Sequence, residues 1–186
     1  MPESGHYVEQ ILFELGFQGG FIIRIHIIGG SGSGKTYMAS QLSKKFNIPH
    51  MDLDDIFWEN STDQYGVKAS VSVRDNKLKN FVMQPSWVIE GVYLKWVIPS
   101  FELADKIFIL KTPIQTQEER IWSRYHKRKM GILPSTKKET IESLKDLLEW
   151  NKKYNQEFLP DFVENTQFAD KIIHLNGNDD IFNFMD

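Results

Sequence analysis

The stretch Phe21-Ile22-Ile23-Arg24-Ile25-His26-Ile27-Ile28-Gly29-Gly30-Ser31-Gly32-Ser33-Gly34-Lys35-Thr36 decides how this chain is read. Its first half is rich in β-branched residues and bounded by glycines, the composition of a buried strand. Its second half fits Gly-x-x-x-x-Gly-Lys-Thr, and residues from Tyr37 to about Phe46 continue with helical character. Between a strand and a helix, such a loop can turn successive backbone N–H groups inward as an anion nest, and the helix adds the positive end of its dipole. The pattern predicts that Gly29, Gly30, Ser31, Gly32, Ser33, Gly34, Lys35 and Thr36 bind the phosphates of a nucleotide. Lys35 is expected to reach the β- and γ-phosphates as a catalytic cation, and the Thr36 hydroxyl to coordinate Mg²⁺.

Outward from this stretch, strands and helices alternate. Residues 7–17 carry apolar positions at helical spacing ahead of the first strand. Asn47–Asp52 reads as a short second strand, Trp87–Gly91 as a third, Lys106–Leu110 as a fourth and Lys171–Leu175 as a last. Residues 59–74 are polar and irregular, after which Asp75 is expected to cap a helix through Leu78, Phe81 and Val82, closed by Pro85. Thr112-Pro113-Ile114-Gln115 combines a capping box with proline at the first helical position, opening a helix that stops at Gly131. Thr136-Lys137-Lys138-Glu139 reads as a second capping box, its helix turning Ile141, Leu144, Leu148 and Phe158 inward with Pro160 beyond its end. The alternation predicts an α/β fold, a parallel sheet with helices on both faces.

Composition narrows the chemistry. The 186 residues suit one domain with a sizeable core, 41% of them hydrophobic and 13% aromatic. A formal net charge of −3 gives the whole molecule no electrostatic attraction for nucleic acid. The chain has no cysteine, which excludes disulfides, thiolate catalysis and Cys-ligated zinc. The apolar run at 21–28 is far short of the ~20 residues that span a bilayer. The segment Met1–Gly5 lacks the basic-then-apolar pattern of a secretion signal, so the expected compartment is the cytoplasm.

Three further groups carry candidate chemistry. Asp52 and Asp54 follow the second strand, on the side of a parallel sheet where ligands gather, and suit Mg²⁺ contacts or acceptance of a proton from an acceptor hydroxyl. A solvated acidic turn capping the next helix is the alternative. Glu90 ends the third strand, where a carboxylate can hold Mg²⁺ through water or simply face solvent. Arg120, Arg124 and Lys127/Arg128 share a helix face that can close over phosphates, or merely be solvated. Trp58 is a candidate for lining an acceptor pocket or for packing. Trp87, Trp122 and Trp150 read as packing, and His50 and His174 as structural.

Taken together, Gly29–Thr36, Ile48–Trp58, Trp87–Tyr93 and Arg120…Arg124 resemble the bacterial DNA topology modulation protein family, a branch similar to the adenylate-kinase-like P-loop kinases. The resemblance spans about residues 22–130. It implies a five-stranded sheet of order 2-3-1-4-5, an acceptor-binding region over about 53–85 and a lid over about 112–135, with residues 1–20 as a helical extension. It further implies that Asp52 and Asp54 contact magnesium and acceptor, that Arg120 and Arg124 face the nucleotide and the transferred phosphoryl, and that Asn176-Gly177-Asn178 lies near the adenine. Where the family usually writes Asp-Gly-Asn-Tyr, this chain has Glu90-Gly91-Val92-Tyr93. The expected activity is phosphoryl transfer from ATP with Mg²⁺ to a small acceptor, with Lys35, Asp54 and Arg124 catalytic, Arg120 nucleotide-binding, and Thr36, Asp52 and Glu90 on the metal. Asp54 would be the base for an alcohol acceptor, and Arg74 would bind an acceptor phosphate. The alternatives are a nucleotide sensor or slow ATPase without an acceptor, and a nucleic-acid-associated ATPase resting on the Arg120–Arg128 face.

Overall fold

The computed structural model describes residues 22–59, 66–134, 139–176 and 178–185. In chain order the elements are β1 (Arg24–Ile28), α1 (Lys35–Phe46), β2 (His50–Asp52), α2 (Asp54–Phe57), α3 (Val71–Val82), β3 (Trp87–Gly91), α4 (Ile98–Leu103), β4 (Lys106–Leu110), α5 (Ile114–Lys129), α6 (Ile141–Lys153), a π turn (Tyr154–Phe158), α7 (Leu159–Asn165) and β5 (Ile172–Leu175). All strand pairs are parallel, in one five-stranded sheet of order β2-β3-β1-β4-β5. The expected helix at 7–17 lies outside the described residues.

Side-chain alternation along the strands builds two cores. Ile25 and Ile27 of β1, Val88 of β3 and Phe108 and Leu110 of β4 face α1, where Met38, Ala39 and Leu42 cover them. On the opposite face Ile28, Trp87, Ile89, Ile107 and Ile109 pack under α3, α4 and the α6–α7 region through Leu78, Val82, Phe101, Tyr154 and Leu159. The sheet is covered on both faces, as continuous apolar strands require. Among the described residues, no helix is long and apolar enough to cross a membrane.

β1 lies at the centre, paired with β3 on one side and β4 on the other. The chain therefore leaves β1 at the point where the strand order reverses, and the loop Gly29–Gly34 lies in that crevice. The carboxyl ends of β2, β3 and β4 bring Asp52, Glu90 and Thr112 to the same edge.

Four local expectations need correction. The cap of α3 is Ser70, whose hydroxyl accepts from the Val73 N–H, so this helix begins upstream of Asp75. Pro113 is the N-cap of α5 rather than its first helical residue, and the hydroxyl of Thr112 makes no local cap; it donates to the Ser33 carbonyl at 2.8 Å. The capping box that opens α6 is Thr140 with Ser143; residues 135–138, including Thr136, lie outside the described residues. Phe158 is 40% exposed rather than inward, and Pro160 lies in the first turn of α7 instead of following the helical run; Trp150 packs on the Tyr154 ring, 5.1 Å between centres. The π turn explains Phe158 and Pro160: bonds from i to i+5 shift the inward face by a residue, and the missing N–H of Pro160 falls just past this change of register.

Thr140 satisfies the Ser143 N–H, and the Ser143 hydroxyl side returns the favour at the Thr140 N–H. Thr140→Ala is therefore expected to cost about 1 kcal/mol. Thermal melts should show a fall of about 2–4 °C.

Candidate functional site

The loop after β1 makes a tight turn closed by the Ser33 N–H on the Gly30 carbonyl, with Gly32 at φ +78° and Gly34 at φ +106°. α1 starts immediately at Lys35, so the first N–H groups of that helix point back into the loop without intrahelical partners. Lys35 is 8% exposed and folds across the loop, its Nζ donating to the Gly30 carbonyl at 3.0 Å. Burial lowers the Lys35 ammonium below its ordinary range, while Glu90, Asp54 and Asp52 oppose that shift.

Those carboxylates form one wall. Thr36 Oγ1 donates to Glu90 Oε1 at 2.6 Å, and Asp52, the register neighbour of Glu90, shares a hydrogen bond with it. Burial, reinforced by the charges of Glu90 and Asp54, pushes the Asp52 carboxyl up to about 7. Asp54 is exposed; its backbone N–H donates to Asp52 Oδ1 at 2.9 Å and its Oδ1 accepts from the Tyr93 hydroxyl at 2.6 Å. Burial first, then the Asp54 charge, raises the Tyr93 hydroxyl above its usual range, so it remains a donor to Asp54 at neutral pH. Thr36, Asp52 and Glu90 are thus close-set hard oxygen donors with excess negative charge, which fits Mg²⁺ held jointly by protein, water and phosphate. Among the described residues, no group of three or more acidic or histidine side chains makes an all-protein metal cage.

The opposite wall is the α5 face. Arg120 Nη1 donates to the carbonyls of Gly32 (3.1 Å) and Ser33 (3.3 Å), and Arg124 Nη2 donates to Ser31 Oγ at 3.2 Å. Arg120, Arg124 and Lys127 also line a cleft of about 440 Å³ with Glu119, Ser123 and Leu133. Arg128 does not join them; it pairs with Glu139. Arg74 pairs with Asp75 at 2.7 Å and stacks on Trp96, 4.3 Å from the ring centre, beside a cluster of Phe57, Tyr93 and Trp96. Trp58 packs edge-on against Phe57 and bridges to Lys68.

The sequence reading missed the residues behind the loop. Gln117 is fully buried and Asn151 is 1% exposed, and with Asn155 they form an amide cluster whose Asn151 Oδ1 accepts from the Ser31 N–H at 2.6 Å. A Cβ on Gly30 would meet all three amides at 2.4–2.6 Å, and one on Gly32 would meet the Gln117 carbonyl at 2.5 Å. Those two glycines admit the helices behind the loop as well as a phosphate in front. The spacing Gln117, Arg120, Arg124, one helix face at i, i+3 and i+7, is the signal that could have found Gln117.

The observation that places this architecture is the loop at the sheet's reversal point, backed by order β2-β3-β1-β4-β5. The fold is that of the P-loop kinases. A gluconokinase from Sinorhizobium meliloti 1021 superposes with a TM-score of 0.53 at 13% identity, over 88% of this chain and 89% of that one. A shikimate kinase from Bacteroides thetaiotaomicron gives a TM-score of 0.54 at 15% identity, over 84% and 87% of the two chains. At such identities the likeness speaks for the fold alone. An uncharacterized protein of Bacillus subtilis (strain 168), YqaC, is 28% identical over 133 residues, 70% of this chain and 72% of its own. No protein-family profile matches the chain.

Proposed function

We propose that the protein is an ATP-dependent small-molecule kinase. The observation that carries this reading is the placement of Lys35 and Thr36 between a carboxylate wall (Asp52, Asp54, Glu90) and an arginine wall (Arg120, Arg124) at the mouth of the loop. The fold shared with kinases and the resemblance of its motifs to the topology modulation family support it.

In this reading the loop N–H groups and Lys35 hold the phosphates of ATP. Thr36, Glu90 and Asp52 hold Mg²⁺, which when bound neutralises phosphate charge. The region over about 53–85 receives the acceptor and the segment over about 112–135 closes as a lid. Arg120 exchanges its loop carbonyls for the nucleotide, and Arg124 moves from the Ser31 hydroxyl to the transferred phosphoryl group. Catalysis is then positioning plus charge stabilisation. An acceptor hydroxyl placed at Asp54 gives its proton to the carboxylate, which the Tyr93 hydroxyl orients. An acceptor phosphate needs no base.

The test is ADP release from ATP and MgCl₂ across nucleoside monophosphates, nucleosides and small metabolite alcohols, with Lys35→Ala as the control for contaminating kinases. Acceptor-stimulated release that disappears in the control supports the kinase. ATP binding with no stimulation by any acceptor favours a nucleotide sensor. For an alcohol acceptor, Asp54→Asn is expected to lower kcat about 10²-fold with little change in KM for ATP. Steady-state kinetics with that acceptor checks it, and a loss below about threefold removes Asp54 from the role of base.

A further inference from the structure

The amide cluster behind the loop has no part in the chemistry just described, yet it holds the loop backbone directly, through the Ser31 N–H. Asn151 Nδ2 donates to Gln117 Oε1 at 2.9 Å, and its Oδ1 takes the Ser31 N–H at 2.6 Å. Gln117 and Asn155 face each other as an amide pair: Gln117 Nε2 donates to Asn155 Oδ1 at 3.1 Å, and Asn155 Nδ2 to Gln117 Oε1 at 3.2 Å. Two further N–H groups go to backbone, Gln117 Nε2 to the Thr112 carbonyl (2.7 Å) and Asn155 Nδ2 to the Asn151 carbonyl (2.7 Å).

Every amide of the three thus has partners on both its oxygen and its nitrogen. A network whose members each pair through both oxygen and nitrogen favours one arrangement, whereas a half-satisfied one costs stability and admits several. The three side chains also come from different places. Gln117 is on α5, the helix that carries Arg120 and Arg124; Asn151 is on α6; Asn155 is in the π turn, where its side chain caps the Asn151 carbonyl. π turns recur at functional positions because they re-aim side chains that an α-helix would point elsewhere.

The geometry points to Gln117, Asn151 and Asn155 as positioning residues that fix the loop Gly29–Thr36 in its phosphate-wrapping shape and tie that shape to helices α5 and α6. They would touch no substrate. Asn151 holds the outer side of the turn at Ser31 and the Ser33 N–H closes the turn on Gly30, leaving the N–H groups from Gly34 onward to face the phosphates. Movement of α5 would be transmitted to the loop through Gln117 as well as through the two arginines. This inference rests on the kinase reading of the loop, since it is a nucleotide's phosphates that the fixed shape serves.

The test pairs two measurements on wild type, Asn151→Ala, Asn155→Ala and Lys35→Ala. Calorimetry gives Kd for the non-hydrolysable β,γ-imido analogue of ATP with MgCl₂, and amide hydrogen exchange by NMR follows the Ser31 N–H in the ligand-free protein. Supporting side chains behind a binding shell commonly carry about tenfold in affinity. We expect Kd to rise about tenfold in Asn151→Ala and about threefold in Asn155→Ala, with Ser31 exchange at least about tenfold faster in Asn151→Ala. Lower melting temperatures with Kd unchanged in both variants would mean a merely structural cluster and overturn the inference. If Asn151→Ala fails to fold, Asn155→Ala decides alone: an unchanged Kd overturns the inference, and a raised one supports it. Wild type that binds no nucleotide overturns the kinase reading and this inference with it, a result distinct from binding that only Lys35→Ala abolishes, which overturns the inference alone.

Discussion

Lys35→Ala is expected to lose roughly 10²–10³-fold in acceptor-dependent ADP formation, together with all of the stabilisation that ATP and Mg²⁺ give the wild type. The ammonium is nearly buried and faces Glu90, Asp54 and Asp52, which work against the burial that would discharge it. Its Nζ donates to the neutral Gly30 carbonyl at 3.0 Å. A phosphate oxygen is the stronger acceptor, because both ends of the bond are then charged. Removing the ammonium leaves the carboxylate wall facing a triphosphate without a cation between them, a like-charge arrangement that weakens both binding and the transition state. At nucleotide concentrations about 100 times Kd, wild type should gain about 2.7 kcal/mol, or roughly 5–10 °C in melting temperature. A variant that kept this gain and its turnover would remove Lys35 from the site and, with it, the kinase reading.

The sheet was legible because its strands are short apolar runs with clear ends. Trp87–Gly91 follows Pro85-Ser86 and Lys106–Leu110 follows Ala104-Asp105, and both strands begin and end where the runs do. The first strand is shorter than its apolar run, starting at Arg24, because the Ile23 N–H is taken by the Ser86 hydroxyl instead of a ladder partner. The start of α3 was obscured because Val71 and Val73 are exposed and give no inward stripe to read. α4 was not anticipated at all: it is six residues long, too short for a periodic pattern to register.

The candidate site divides along the same line. Residues that follow strand ends in sequence (the loop, Asp52, Asp54, Glu90) could be read locally, since parallel topology alone brings strand ends together. Thr112 could not, because a hydroxyl with the spacing of a capping box found a partner far along the chain, at Ser33. Gln117 meets Asn151 and Asn155 across gaps of 34 and 38 residues, and Asn151 meets Ser31 across 120, partners of which a single amide on a helix gives no local hint. Arg128 shared its helix face with Arg120 and Arg124 in projection, yet Glu139 claims it. Helical periodicity gives a direction for a side chain, and tertiary neighbours decide what it meets.

A second large effect is expected from acid rather than from the loop. His26 sits on the central strand, fully buried, its Nδ1 2.9 Å from the Ser100 hydroxyl and its ring 4.5 Å from Phe101. Ser100 Oγ donates to the Val97 carbonyl at 2.7 Å, so it accepts from His26, and Nδ1 carries the proton. Nε2 has no hydrogen-bond partner among the described residues, so a second proton would place an unpaired charge in the core. Burial accordingly lowers the imidazole from 6.5 to about 3. Unfolded chains take up this proton as pH falls through 6.5 and folded ones do not, so the stability due to neutral His26 is complete above 6.5 and declines down to about 3. At pH 4.5 the loss should be about 3 kcal/mol. Asp52 runs the other way, because its raised folded value means that protonation between about 7 and the ordinary carboxylate range favours the folded state. The informative quantity is therefore the difference between wild type and His26→Leu, in urea unfolding at pH 7.5 and pH 4.5. His26→Leu leaves the Ser100–Val97 bond in place and should be spared about 3 kcal/mol of acid destabilisation, and parallel losses in the two proteins would mean that the core accommodates the charged imidazole after all.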